Sequence, residues 1–190
     1  MSEPDTDDAG EPRAVLPTAR MFAWARNSAA YRLTKSMMTE KQLRDAIIRK
    51  ARQKFEAIED EHLQALAAEA VRFGYQNKAL DDRTFAEVSA RSGARSGKSR
   101  RVIAQKLAIK GVDRELAREA LSDTDDFQAA IVHARKRRLG PFRRADVTEP
   151  NDDKEMASFG RAGFSFEIGR RVLDLTLEEA EEIMFNTQRL

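Results

Sequence analysis

The sequence predicts an all-α protein made of tandem, helix-turn-helix-like helical repeats packed side by side in an array, on three grounds. Among 190 residues there are five prolines and nine glycines, set among runs of Ala, Leu, Glu, Lys and Arg that favour helix over sheet. Apolar residues recur at helical spacing through most of the chain. Most telling, Gly111-Val-Asp-Arg-Glu-Leu-Ala-Arg-Glu-Ala-Leu121 and Gly163-Phe-Ser-Phe-Glu-Ile-Gly-Arg-Arg-Val-Leu173 agree position by position in type, 52 residues apart. Each copy reads as a left-handed glycine closing one helix, an apolar residue, and a cap (Asp113, Ser165) opening the next.

The elements follow in order. Residues 1 to 19 combine Pro, Asp, Glu and Thr with little apolar content and read as a disordered acidic tail. Met21 to Leu33 suits a short helix with Phe22, Trp24 and Tyr31 in the core. Thr39-Glu-Lys-Gln42 forms a capping box ahead of the apolar stripe Leu43, Ile47, Ile48 and Phe55. A third helix fits Asp60 to Phe73, with Gly74 as its stop. Leu80-Asp-Asp82 opens another through an aspartate cap, with Phe85, Ala86 and Val88 at core spacing. A weaker third copy of the repeat centres on Lys50-Ala51, where alanine replaces glycine and the turn is expected to be looser or displaced. Near the C-terminus, Glu178, Glu179, Glu181 and Glu182 form a wet face opposite Leu177, Ala180, Ile183 and Met184. The units expected are 20–75, 76–123 and 124–190, the last including a C-terminal helix.

The chain has no cysteine, which excludes disulfides and thiolate metal sites. His62 and His133 lack any metal-ligand spacing. No apolar run reaches the roughly 18 residues of a membrane span, and the acidic N-terminus does not resemble a signal peptide. A cytoplasmic, monomeric protein is expected. Its net charge of +2 conceals segregation: residues 1 to 12 hold five acids and no base, whereas Arg91 to Arg144 hold 15 Lys/Arg against six Asp/Glu. Such a basic middle fits an anionic partner.

Gly97-Lys-Ser99 invites comparison with a phosphate loop. That loop needs four residues between its glycines and a preceding buried strand, whereas Gly93 and Gly97 enclose three and follow a helical pattern. The bland reading of Arg91-Ser-Gly-Ala-Arg-Ser-Gly-Lys-Ser-Arg-Arg101 is a solvated loop between helices. Against it, Lys98, Arg101 and Gln105 are expected on one helix arc opposite Ile103 and Leu107. Arg135, Lys136, Arg137 and Arg138, with Arg143 and Arg144, exceed what one helix end needs. The expected binding surface is therefore Arg91, Arg95, Lys98, Arg100, Arg101, Gln105, Arg135 to Arg138, Arg143 and Arg144. Asp81-Asp82 reads as a helix cap rather than a metal pair. No nucleophile, base and oxyanion donors assemble, so no catalytic residue, metal or cofactor is expected.

Taken together, Leu80-Asp-Asp-Arg-Thr-Phe-Ala86, Arg91-Ser92, Arg101-Val-Ile-Ala-Gln-Lys-Leu107 and Lys110-Gly-Val112 resemble the central repeat of the RecX family, regulators of RecA recombinase. Ala134-Arg-Lys-Arg-Arg138 and Gly163 to Leu173 resemble its third repeat, and the likeness runs from about Ala23 to Leu173. There are departures: Thr84 stands where the family usually has arginine, Gly97-Lys-Ser replaces a Gly-Pro pair, and Ala51 replaces a glycine. The resemblance implies three repeats of three helices and binding in the groove of a RecA filament on DNA. There such a regulator blocks extension or promotes disassembly, lowering ATPase, strand-exchange and coprotease activity, with single- or double-stranded DNA as a further contact. The competing expectation is a helix-turn-helix DNA-binding protein or transcription regulator, which the same units and basic helices would suit.

Overall fold

Helix starts follow side-chain caps. In the computed structural model, which describes residues 17–144 and 151–187, Thr39 Oγ1 accepts from Gln42 N at 3.1 Å and Gln42 Oε1 accepts from Thr39 N at 3.1 Å, completing the capping box. Asp81, Ser99, Asp113 and Ser165 cap later helices, each side chain accepting from a first-turn backbone N–H. Among the described residues there is no strand.

The first unit comprises α1 (Ala19–Lys35), α2 (Glu40–Lys54) and α3 (Asp60–Gln76) around Ala25, Leu43, Ile47, Leu66 and Ala70. The second comprises α4 (Asp82–Arg95), α5 (Arg100–Ile109) and α6 (Arg114–Ala120) around Phe85, Ile103, Leu107 and Leu121. In the third, α7 (Asp126–Arg137), α8 (Asp152–Arg161), α9 (Phe166–Leu173) and α10 (Leu177–Thr187) enclose Ile131, Phe159, Phe164 and Val172.

Several local expectations change. The acidic tail expected over 1 to 19 falls mostly outside the described residues, but Pro17 is buried, Thr18 is the N-cap of α1 and Ala19 is helical. Gly74 does not stop α3; it lies inside the helix, where a Cβ would press on Leu80 and Leu33. The displaced first turn sits at Ala57 (φ 49°), followed by Ile58 and the N-cap Glu59, while Ala51 is buried in α2. Tyr31, Val88 and Leu177 are exposed rather than core, because each lies off the buried stripe of its helix. The expected loop at Arg91 is helix as far as Arg95: Gly93 is buried in α4, where Ile103 packs too close for a Cβ.

The two repeat turns have matching geometry. Gly111 (φ +82°) and Gly163 (φ +83°) are left-handed, and the following residue bonds back to Leu107 O (3.0 Å) or Phe159 O (3.1 Å). The same pattern occurs at Gly97 (φ +77°), where Lys98 N reaches Gly93 O at 3.1 Å. Lysine there takes the place that Val112 and Phe164 fill in the other turns, which hid this copy in the sequence.

These turns also join the units. Thr39 Oγ1 donates to Lys110 O (2.6 Å), just before Gly111, and Ser99 Oγ donates to Ala162 O (2.8 Å), just before Gly163. Glu40 N donates to Asp82 Oδ1 (2.9 Å), and Arg100 N donates to Asp126 Oδ1 (2.6 Å). Each Asp-Asp pair thus caps two helices: Asp81 and Asp125 cap their own, while Asp82 and Asp126 satisfy the first N–H of a helix in the preceding unit. Both cap hydroxyl residues, Thr39 and Ser99, have no exposed surface, so each depends on its carbonyl partner across the joint.

Candidate functional site

The second joint decides which cations share a surface. Lys136 Nζ donates to Ser96 O at 2.8 Å, and a Cβ on Gly97 would lie 2.9 Å from His133 N. The basic end of α7 is therefore held against the α4–α5 turn. Arg91, Arg95 and Lys136 line one hollow of about 400 Å³ with Val88, Ser92 and Ser96. A second cleft, of about 370 Å³, shares Val88 and Ser92 and is rimmed by Lys98, Lys106 and Lys110.

Lys98 precedes the N-cap Ser99, so helical periodicity does not place it. It lies with Lys106 and Lys110, two lysines absent from the expected surface, while Arg101 Cβ lies by the Gly163 turn of the third unit. Arg101 and Gln105 remain exposed on the other side of α5. Burial pushes the Lys98 ammonium below its ordinary pKa, and the nearby Lys106, Lys136 and Lys110 add to the shift. Neither hollow is lined by an acidic residue.

Arg135, Arg137 and Arg138 are exposed around the end of α7, with Arg138 in the left-handed region (φ 59°). Arg100 and Arg144 are exposed as well. Arg143 differs, because its guanidinium is clamped by Glu155 (Nε–Oε1 2.7 Å) and Asp152 (2.7 Å) and ties the 3₁₀ turn Gly140–Phe142 to α8. These carboxylates push the Arg143 pKa upward, the Glu155 hydrogen bond contributing most. Its charge is already partnered.

His133 packs between Phe159 and Phe164, with ring centroids at 5.6 and 5.7 Å. On α6, which has the position of a second helix in a helix-turn-helix, Arg118 pairs with Glu115 at 2.7 Å and Glu119 pairs with Arg83 at 2.5 Å. That face carries carboxylates as well as cations, which suits a DNA groove poorly.

Residues 81–121, which span the second unit, match the family described as RecX, second three-helix domain. Over 175 residues, covering 92% of this chain and 95% of the relative, the sequence is 58% identical to the regulatory protein RecX of Agrobacterium fabrum. The chain belongs to the RecX family. RecX of Myxococcus xanthus is 36% identical over 174 residues, covering 86% of this chain and 88% of its own. The crystal structure of RecX from Lactobacillus salivarius superposes with a TM-score of 0.62 at 22% identity, covering 86% of this chain and 99% of that one, and shares the fold. This RecX-family chain accordingly has a regulatory role and tandem helical repeats. Among its described residues no helix is long and apolar enough to cross a membrane.

Proposed function

We propose that the chain acts, as a monomeric and non-catalytic regulator, on the filament that RecA forms on DNA, occupying its groove. There it blocks extension or promotes disassembly, and so lowers ATP hydrolysis, strand exchange and coprotease action. The observation that carries this reading is the cationic face built across the joint of the second and third units, on a chain of the RecX family. A nucleoprotein filament presents a negative field, and a stiff row of helical units can bridge successive subunits. The units 20–75, 76–123 and 124–190 are the proposed modules.

Arg91, Arg95, Lys98, Arg100, Arg101, Gln105, Arg135 to Arg138 and Arg144 are the proposed contacts, with Arg101 and Gln105 on the other side of α5 from Lys98, and Lys106 and Lys110 extend the Lys98 side. Replacing Lys98, Arg100 and Arg101 together by glutamate should abolish the chain's effect on filament growth, followed by light scattering, without altering its helical circular dichroism. Growth inhibition that survives the triple reversal would remove this surface from the account. A direct DNA reader would instead bind naked duplex tightly, with steep salt dependence and sequence preference.

A further inference from the structure

The cleft between α4 and α5 is not built like the rest of the basic face. Its floor is Gly93, Ile103 and Leu107, where the absent Cβ of Gly93 lets Ile103 approach α4. Its lips include two aliphatic side chains open to water, Val88 at 41% and Ile109 at 70% exposure. Lys98, Lys106 and Lys110 stand around them, and no acidic side chain lines the space.

An apolar slot with a cationic rim discriminates between anionic partners. Single-stranded nucleic acid docks its bases on aromatic platforms, and no aromatic residue lines this cleft. A sugar–phosphate backbone would meet the lysines but leave Val88 and Ile109 wet. A protein segment with carboxylates flanking a leucine or isoleucine satisfies both, burying the aliphatic surface while its charges relieve the crowded ammonium groups. Crowding is evident at Lys98, whose pKa is pushed down by burial and by its lysine neighbours.

We propose that this cleft docks an acidic protein segment through an aliphatic anchor seated between Val88 and Ile109, its carboxylates pairing with Lys98, Lys106 and Lys110. The idea rests on the filament reading only for the source of the segment, and it assigns this part of the basic face to protein rather than DNA.

The test is fluorescence anisotropy of the full chain with three labelled probes and no RecA: a peptide with leucines every third or fourth residue between glutamates, the same peptide with serines for leucines, and an oligothymidylate. Lys106→Glu and, separately, Ile109→Ser should each weaken the leucine peptide about tenfold, while in the charge-neutral Ile109→Ser variant oligothymidylate binding changes by less than about twofold. The serine peptide should bind about tenfold more weakly than the leucine peptide. Both substitutions are at exposed positions, so the core stays intact, and Ile109→Ser leaves the charge unchanged. Equal binding of the two peptides, no loss on Ile109→Ser, or a loss confined to oligothymidylate would each overturn the proposal, the last by giving the cleft to nucleic acid.

Discussion

At the scale of single residues, two half-buried titratable groups show how position changes chemistry. Asp82 is half-buried, and its pKa is raised chiefly by burial, against the lowering effect of the Glu40 N–H it accepts. A raised carboxyl pKa means that its stabilising contribution is lost as pH rises through the folded value, so at neutral pH the charge is a cost. We predict that Asp82→Asn, which keeps a carbonyl acceptor for Glu40, melts no lower than the parent at neutral pH. Asp82→Ala should lose about 0.5–2 kcal/mol through the lost cap, as thermal melts would show. His133 has the opposite sign. Burial, then Arg137 and Lys136, push its imidazole below the ordinary 6.5. The folded chain then binds fewer protons than the unfolded one, so stability is present above pH 6.5 and drains away as pH falls through the folded value. The urea midpoint should drop between about pH 7.5 and about pH 5.5, and His133→Gln should flatten that part of the slope. A slope unchanged by His133→Gln would mean that the imidazole does not control it.

At the scale of elements, the described glycines separate into those that a left-handed turn or a close neighbour requires and Gly160, which has neither. A Cβ at Gly163 would lie 2.5 Å from Ser99 Oγ, which cannot retreat because it caps α5 and binds Ala162 O. Gly163→Ala should therefore cost about 1–3 kcal/mol in chemical denaturation, from left-handed strain and a broken joint. Gly160, helical with open space where a Cβ would lie, is the control, and alanine there should stabilise by about 0.5–1 kcal/mol. If both alanine variants behaved alike, the joint would not constrain the turn. The two Gly-apolar-cap turns were legible in sequence because hydroxyl and carboxylate caps are local chemistry: Asp113 and Ser165 bond to backbone within three residues. What stayed hidden depends on tertiary neighbours. Leu80 and Leu33 fill the space a Cβ on the helical Gly74 would need, Lys98 disguises a third turn, and Asp82 serves a helix 42 residues away. Charge was legible in the same limited way. Composition showed a basic middle, but only the fold separates Lys98 from Arg101, adds Lys106 and Lys110, and hands Arg143 to Glu155.

At the scale of the whole molecule, the joints make a row of helical units whose charge is asymmetric. Each joint repeats one pair of contacts, a cap hydroxyl to the carbonyl before a left-handed glycine and an aspartate to a helix-start N–H, so the second unit is held on both sides. Bridging by Lys136 then makes the cations of two units act as one surface. Attraction of that surface to a filament should weaken with salt, since exposed charges are screened beyond roughly 8 Å at physiological ionic strength. The most direct measurement of the central claim is RecA ATP hydrolysis on single-stranded DNA, with this chain added at a small fraction of the RecA concentration. A steep fall in hydrolysis, lost in the Lys98→Glu, Arg100→Glu, Arg101→Glu triple variant, is the result predicted. Hydrolysis that continues unchanged, or that falls only when the chain is abundant enough to coat the DNA, would contradict it.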